Sequence, residues 1–265
     1  MAASRSAPKA PGKVGIRRAL IVLNPSESKR LIARGVAQMP IVQQALRRGR
    51  VIIGNGVTNA FVAEELTDKK MPKWRYAAGV VAGGRLDVTD SATRPAPVAL
   101  KHGKPFRGTW VELLQEFDRG DVFIKGANAV DAEGNVGVLL GSPVGGTVGQ
   151  MHGILAARGA HLVVPVGLEK MVPDVIEAAR HCGAATLDLS DGIACGMAVL
   201  GNAEVVTELE ACQLLFGVEA WHVASGGVAG SEGAVVIAIE GPGTAVKRAF
   251  DHCSSLAREP AVVKE

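Results

Sequence analysis

The sequence predicts an α/β fold: a Rossmann-like, mostly parallel sheet flanked by helices, followed by a small α+β, ferredoxin-like unit. Three observations carry this expectation. Apolar runs of strand length alternate with stretches of helical period from Ala19 to about Asp191, which is the spacing of βα units. The chain is 48% hydrophobic yet has only 3 Trp, 1 Tyr and 6 Phe, so its core is built of Val, Ile, Leu and Ala, as in a sheet buried on both faces. Its 33 glycines supply loops in which backbone can turn sharply or approach a ligand. At 265 residues the chain lies near the ~250 residues where a single core stops growing. It divides into a basic tail over residues 1–18, an α/β domain over 19–192 and the small unit over 193–265.

Residues 19–23 are the first strand. Pro25-Ser26 then opens a helix, since the proline ring suits the first helical position and its missing N–H is no loss there. Leu31, Ile32, Val36 and Met39 follow at helical spacing until Pro40 interrupts. Val51-Ile52-Ile53 is a strand that runs through Gly54-Asn55-Gly56-Val57-Thr58 into a helix covering residues 60–66. Thr109 and Glu112 make a capping-box pair, opening a helix through Phe117 that stops at Gly120. Val122-Phe123-Ile124 and residues 162–166 are buried strands, and a helix runs from near Pro173 to His181. Beyond Asp191 come a strand at 193–200, a helix opened by a second capping box at Thr207 and Glu210, strands at 220–224 and 234–239, and a helix from about Thr244 to Arg258, with 261–263 as a last strand. The stretch 225–233 between two of these strands is too long and glycine-rich for a tight hairpin. The β, α, β, β, α order is that of a ferredoxin-like sandwich.

The net charge is +3, but Arg5, Lys9, Lys13, Arg17 and Arg18 all fall in the first 18 positions, where no acid stands. The remainder is slightly acidic and has no basic stripe, which argues against nucleic acid as a partner, and the basic end reads as a solvated tail. The sequence shows neither the apolar core of a secretory signal nor the ~18 apolar residues of a membrane span, so a cytoplasmic setting without a membrane partner is expected. Cys182, Cys195, Cys212 and Cys253 form no C-x-x-C pair, which argues against a zinc ribbon or a thioredoxin-type site. No metal and no required cofactor are predicted.

Two segments concentrate the groups that chemistry needs. In residues 51–66 a strand ends in a glycine loop and a helix starts at once. A helix N-terminus offers unpaired N–H groups and partial positive charge to an anion. Gly54 and Gly56 let the backbone close in, with Asn55, Thr58 and Asn59 as polar partners. The loop lacks the P-loop Lys-Ser/Thr and a third dinucleotide-type glycine; the competing reading is a plain turn capped by Thr58. In residues 121–150, Lys125, Gly126, Asn128, Asp131, Glu133 and Asn135 crowd after a strand, and a second loop, Gly145-Gly146-Thr147, precedes another helix. Here the competing reading is an Asx-rich turn in which Asp131 and Asn135 bond their own backbone. Open α/β sheets bind ligands at the carboxyl ends of their strands, so these loops point to one site for a small anionic metabolite. Arg85 and Asp87, in a Gly83-Gly84 turn, and Glu169-Lys170, after the 162–166 strand, join it on positional grounds.

Residues 121–147 resemble the motif of a superfamily that unites ribose-5-phosphate isomerase, methylthioribose-1-phosphate isomerase with the related translation-initiation-factor subunits, glucosamine-6-phosphate deaminase and the coenzyme A transferases. In the isomerases a strand runs into Gly-Ala-Asp, then an acidic or asparagine-bearing turn, then a glycine-rich loop. Gly126-Ala127-Asn128, the turn from Asp131 to Asn135, and Gly145-Gly146-Thr147 stand in those places here. Residues 51–66 are similar to the loop that holds phosphate in the sugar-phosphate members. The resemblance covers roughly residues 20–190. It implies a Rossmann-like fold and a site for a phosphosugar, a nucleotide or a coenzyme A ester, the last as substrate. Asn128 occupies the place of the isomerases' catalytic aspartate and cannot act as a general base. The transferases' glutamate motif and the methylthioribose enzyme's cysteine motif are missing, so the resemblance implies a binding frame without a mechanism.

By position, Lys125 and Asp131 are the candidate acid/base pair, Asn128 would hold a carbonyl or hydroxyl, and His152, in the helix after Gly146-Thr147, would reach the same pocket. Cys195 and His222 read as structural. Two functions follow: an isomerase- or transferase-like enzyme acting on a small phosphorylated or coenzyme A-linked metabolite, or a non-catalytic sensor or scaffold that keeps the pocket. The C-terminal unit suits a homo-oligomer in either case.

Overall fold

The computed structural model describes residues 15–264, so the expected basic tail lies mostly outside the described residues. The first part of the chain forms β1 (Ile16–Leu23), α1 (Pro25–Gln38), α2 (Pro40–Arg48), β2 (Arg50–Ile53), α3 (Val57–Thr67), β3 (Gly79–Ala82), β4 (Arg85–Val88), β5 (Val98–Lys101) and β6 (Lys104–Pro105). There follow α4 (Trp110–Gln115), β7 (Val122–Ile124), β8 (Ala129–Val130), β9 (Val136–Leu140), α5 (Gly146–Arg158), β10 (His161–Pro165) and α6 (Val175–Arg180). The last part is β11 (Gly196–Leu200), β12 (Ala203–Val206), α7 (Glu208–Phe216), β13 (Glu219–Ser225), β14 (Val235–Pro242) and α8 (Gly243–Ser255).

Local chemistry starts several of these helices. Asn24 precedes Pro25, and Glu27 reaches back to accept from the Asn24 backbone N–H at 3.1 Å. Thr109 caps α4 reciprocally with Glu112, the hydroxyl accepting from Glu112 N at 3.2 Å while the carboxylate accepts from Thr109 N at 2.7 Å. The same exchange between Thr207 and Glu210 opens α7.

The fold is mixed α/β, with a six-stranded mixed sheet in the order β12-β10-β7-β2-β5-β6 and several smaller sheets. β12, β10, β7 and β2 are parallel, whereas β5 and β6 run antiparallel at one edge. Alternate residues of the short central strands feed opposite layers. Val51, Ile53, Val122 and Ile124 pack with α1, α3, α7 and α8, while Ile52, Phe123, Leu162 and Val164 pack with α4 and α5. The four parallel strands appear across the sheet in chain order, so their carboxyl ends, at residues 54, 125, 166 and 207, all emerge along one edge.

Two features differ from the expected organisation. β1 pairs along its whole length with β14, from Ile16↔Pro242 to Leu23↔Val235, in a sheet ordered β1-β14-β13. Arg17 and Arg18 therefore belong to a strand, not to the tail, and Arg18 ion-pairs with Glu240. Residues 193–265 also do not close on themselves: β11 pairs with β9, and β12 joins the main sheet beside β10. Residues 261–263 form no strand. The physical reason is edge satisfaction, since an unpaired strand edge is stabilised by whichever complementary strand the topology brings to it. Among the described residues no helix is long and apolar enough to cross a membrane.

α1 is held on two sides. At Gly35 it touches α7 so closely that an added Cβ would lie 2.8 Å from Ala211 Cα. On its other side Arg30, 5% exposed, donates to Glu64 at 2.5 Å, Glu65 at 2.8 Å and Glu259 at 2.9 Å, and stacks 4.8 Å above the Phe61 ring. Glu64 also accepts from Lys73 and from Met71 N, each at 3.0 Å. Burial works to raise the Glu64 pKa, but the Met71 N–H and the two cations outweigh it and hold the carboxyl at about 2, against an ordinary 4.5.

A depressed carboxylate pKa contributes stability that is complete above the unfolded value and is lost as pH falls through the folded one. Glu64→Gln should therefore cost about 3 kcal/mol at pH 7, the worth of a carboxyl pKa held at about 2 against 4.5. Denaturation curves of the variant and the parent protein should converge between pH 4.5 and about 2. A gap that stays constant across that window would exclude this role for Glu64.

Candidate functional site

The carboxyl edge of the parallel strands opens into a cavity of about 1140 Å³. Three helices point their N-termini into it: α1 through Asn24, Pro25 and Ser26, α3 through Gly56, Val57 and Thr58, and α5 through Gly145, Gly146 and Thr147. Each has first-turn N–H groups with no intrahelical partner and the positive end of a dipole. The α5 terminus depends on glycine. Gly145 and Gly146 have φ of 72° and 53°, in the left-handed region, and a Cβ on Gly149 would stand 2.1 Å from Val144 O.

Lysines, with Arg94, supply the rest of the positive charge. Lys125, directly after β7, is partly buried and its Nζ donates to Gly126 O at 3.2 Å. Lys170, in the short turn after β10, donates to Ala127 O at 2.9 Å, so the two ammonium groups bond adjacent carbonyls. Lys29 reaches from α1 to donate to Glu169 at 2.6 Å and to Pro25 O at 3.1 Å. Behind them Glu208, fully buried, accepts from Ser28 Oγ and from Leu168 N, which fixes the turn carrying Glu169 and Lys170. Burial pushes the Glu208 carboxyl above its usual range. Burial and the neighbouring Lys170 lower the Lys125 amine to about 8. Burial and Lys29 do the same for Lys170, opposed by Glu169 and Glu208. Gly54 makes room for the lysine, since a Cβ there would lie 3.3 Å from Lys125 Cδ.

Of the residues singled out from sequence, Asn55, Gly56, Thr58, Asp87, Lys125, Gly126, Asn128, Gly145, Gly146, Thr147, Glu169 and Lys170 line this cavity. Several have structural duties as well. Asn55 Nδ2 donates to Pro95 O at 2.9 Å, Asp87 accepts from Val88 N at 2.8 Å, and Asn128 Oδ1 accepts from Leu139 N at 3.0 Å.

Gly54, Asn59, Arg85, Asp131, Asn135 and His152 are not among the lining residues. Asn59 is buried beneath the floor, where its Nδ2 ties Gly54 O at 2.7 Å to Ile124 O at 3.2 Å. Arg85 begins β4 with its side chain exposed. Asp131 is the Asx turn of the competing reading. Its oxygens accept from Asn135 N at 2.8 Å, Asn135 Nδ2 at 3.0 Å and Val175 N at 3.0 Å. Although burial works upward, the Val175 and Asn135 bonds keep its pKa below the ordinary value. A carboxylate so occupied is a poor proton acceptor, and among the described residues its hydrogen bonds go to Asn135 and Val175, while Lys125 bonds Gly126 O. His152 lies in the second turn of α5, on a different face, and lines a separate hollow of about 340 Å³ with His161 and Glu204.

Sequence reasoning missed Asn24, Lys29, Arg94 and the loop carrying Gly230, Glu232 and Gly233, and it read Cys195 as structural only; all of these line the cavity. Only the 225–233 loop had a sequence signal, its run of glycines. Lys29 has none, because its reach to Glu169 spans 140 positions. Among the described residues no group of three or more His, Cys, Asp or Glu could hold a metal ion.

The lysines set a pH signature. Below pH 8 the folded state bears the whole cost of a confined ammonium; between about 8 and the ordinary 10.5 the unfolded chain holds the proton more tightly, so stability rises with pH. Lys125→Met should therefore raise Tm at pH 7, and its advantage should shrink as pH climbs through that window. A variant less stable at pH 7, or a pH-independent difference, would mean the charge is not confined.

Comparison of this chain with protein-family models, with curated proteins and with solved structures gave no match.

Proposed function

We propose that the protein binds a small anionic metabolite, phosphorylated or coenzyme A-linked, at the carboxyl edge of its six-stranded sheet and transforms it by isomerase- or transferase-like chemistry. The observation that supports this is the convergence of three helix N-termini and two partly buried lysines on one cavity, a setting suited to an anion. The four parallel strands are compatible with the Rossmann-like frame that the resemblance implies. With Asp131 occupied by its own turn, proton transfer falls to Lys125 and Lys170, whose amines near pH 8 can both hold and release a proton.

A second reading, a non-catalytic sensor with the same pocket, is favoured by Asn128. Its amide oxygen is engaged with the β9 backbone where the resembled isomerases place a catalytic aspartate.

Thermal denaturation with inorganic phosphate, ribose 5-phosphate and coenzyme A tests the pocket. A probe at 100 times its Kd adds about 2.7 kcal/mol, or roughly 5–10 °C in Tm for a chain of this size. No shift with any of the three removes the anion-site reading. A shift without turnover of the probe that causes it favours the sensor.

Self-association belongs to the same proposal. The outer face of the β1-β14-β13 sheet exposes Leu20 at 61%, Val22 at 60% and Trp221 at 47%, an apolar surface that a second copy would cover. Native mass should be a multiple of the chain mass and should fall to the monomer in Leu20→Lys/Trp221→Lys; a monomeric parent protein overturns the assignment.

A further inference from the structure

An amine becomes a nucleophile only when it sheds its proton near neutral pH, which calls for desolvation, a neighbouring cation and no carboxylate to hold the proton in place. The cavity's lysines differ on this last point. Lys29 is paired with Glu169 at 2.6 Å. Lys170 has Glu169 and Glu208 close enough to favour its charge. Among the described residues Lys125 has no carboxylate partner: its Nζ has the single carbonyl of Gly126 at 3.2 Å, and the charge beside it is another ammonium. Its stem is confined against Gly54, and the group lines the cavity into which α3 and α5 direct their N-termini.

We propose that Lys125 is a covalent nucleophile that forms an imine with an aldehyde or ketone bearing an anionic group, the anion seated at the α3 and α5 N-termini. This rests on the anion-cavity reading above. The free Lys125 amine adds through its lone pair to the carbonyl carbon, and the carbonyl π electrons move to oxygen, which takes a proton. That proton comes from the attacking nitrogen, leaving a neutral carbinolamine with one N–H; its hydroxyl then leaves as water with a proton supplied by the Lys170 ammonium, and as C=N forms the nitrogen's remaining proton returns to the Lys170 amine. One water leaves, nothing is oxidised or reduced, and hydrolysis reverses the sequence. The imine, when protonated, withdraws electrons from the adjacent carbon and makes a C–H or C–C bond there labile, which is chemistry that needs no carboxylate at position 128.

The test is reduction with sodium borohydride in the presence of dihydroxyacetone phosphate or pyruvate, followed by mass spectrometry of the intact protein and its peptides. The expected product is one adduct per chain, with the mass of the probe less one oxygen, on the peptide holding Lys125 and at least tenfold above that at exposed Lys69 or Lys70. Lys125→Met and Lys125→Arg should both lose it, the second keeping the charge in case the first alters packing. Lys170→Met should slow trapping, and Lys170→Arg, which keeps the charge but cannot release a proton, should slow it too. An adduct that survives in both Lys125 variants overturns the assignment. No adduct with either probe, while inorganic phosphate still raises Tm, overturns the imine and leaves the anion cavity standing; neither adduct nor shift removes both.

Discussion

A guanidinium set in an apolar layer organises one side of this molecule. Arg30 lies under α3 and is 5% exposed, and a lone charge so placed would be costly enough to expel the helix that carries it. It is tolerated because three carboxylates reach it: Glu64 and Glu65 from α3, and Glu259 from the segment after α8. Burial works against its charge, and the Glu259, Glu64 and Glu65 bonds more than offset this, so its pKa is raised. Geometry follows from that satisfaction. α1 must lie beside α3, and the chain end must return to both. These are the parts whose N-termini, together with Glu259 and Val262, form one wall of the cavity. A network that satisfies a buried charge thereby fixes the angle between two helices whose N-termini line the cavity.

The cavity treats positive charge in the opposite way. Arg30 has more acceptors than it needs, whereas Lys125 has one carbonyl and a cation for a neighbour. The first arrangement locks charge in; the second makes it labile. Both derive from where the sequence puts acids: Glu64, Glu65 and Glu259 are spent on the helical layer, and Glu169 is spent on Lys29. A site assembled this way is strained electrostatically while its scaffold is not. The glycine at position 54 belongs to the same logic, since a larger residue would press on the Lys125 stem and leave the amine less room.

What could be read from the sequence was local. The boxes at Thr109 and Thr207 involve partners three positions apart and occur in the structure as the residues suggest. The apolar tripeptides at 51–53 and 122–124 are strands, because runs so short and so apolar are stable only when covered on both faces. The loops at the strand ends were visible for the same reason. Long-range pairing was not. β1 and β14 are joined through partners such as Arg18 and Glu240, 222 positions apart, and nothing within either strand names the other. The turn from Asp131 to Asn135 shows a different limit: its residue types fit both a catalytic group and a self-bonded Asx turn, and the bonds from Asn135, completed by the N–H of Val175 44 positions on, decide for the turn.

The scarcity of aromatic residues acquires a meaning at the site. Trp74 is the one aromatic side chain among the cavity's lining residues, so a planar base would have little to stack on. The polar surface comes instead from helix ends, loop amides, lysines with Arg94, and the carboxylates of Glu27, Asp87, Glu169, Glu232 and Glu259. Backbone donors recognise charge and shape without demanding a flat ring, and donors held by the helices behind them need little reorganisation on binding. Glycine serves this design by letting α5 begin tightly at residues 145–149, and at position 233, where an added Cβ would stand 3.4 Å from Glu169 Oε2, by letting the loop after β13 pass near the Lys29–Glu169 pair. The loop after β13 thus lines the cavity beside the residues that set its charge, as Glu259 and Val262 do from further along the chain.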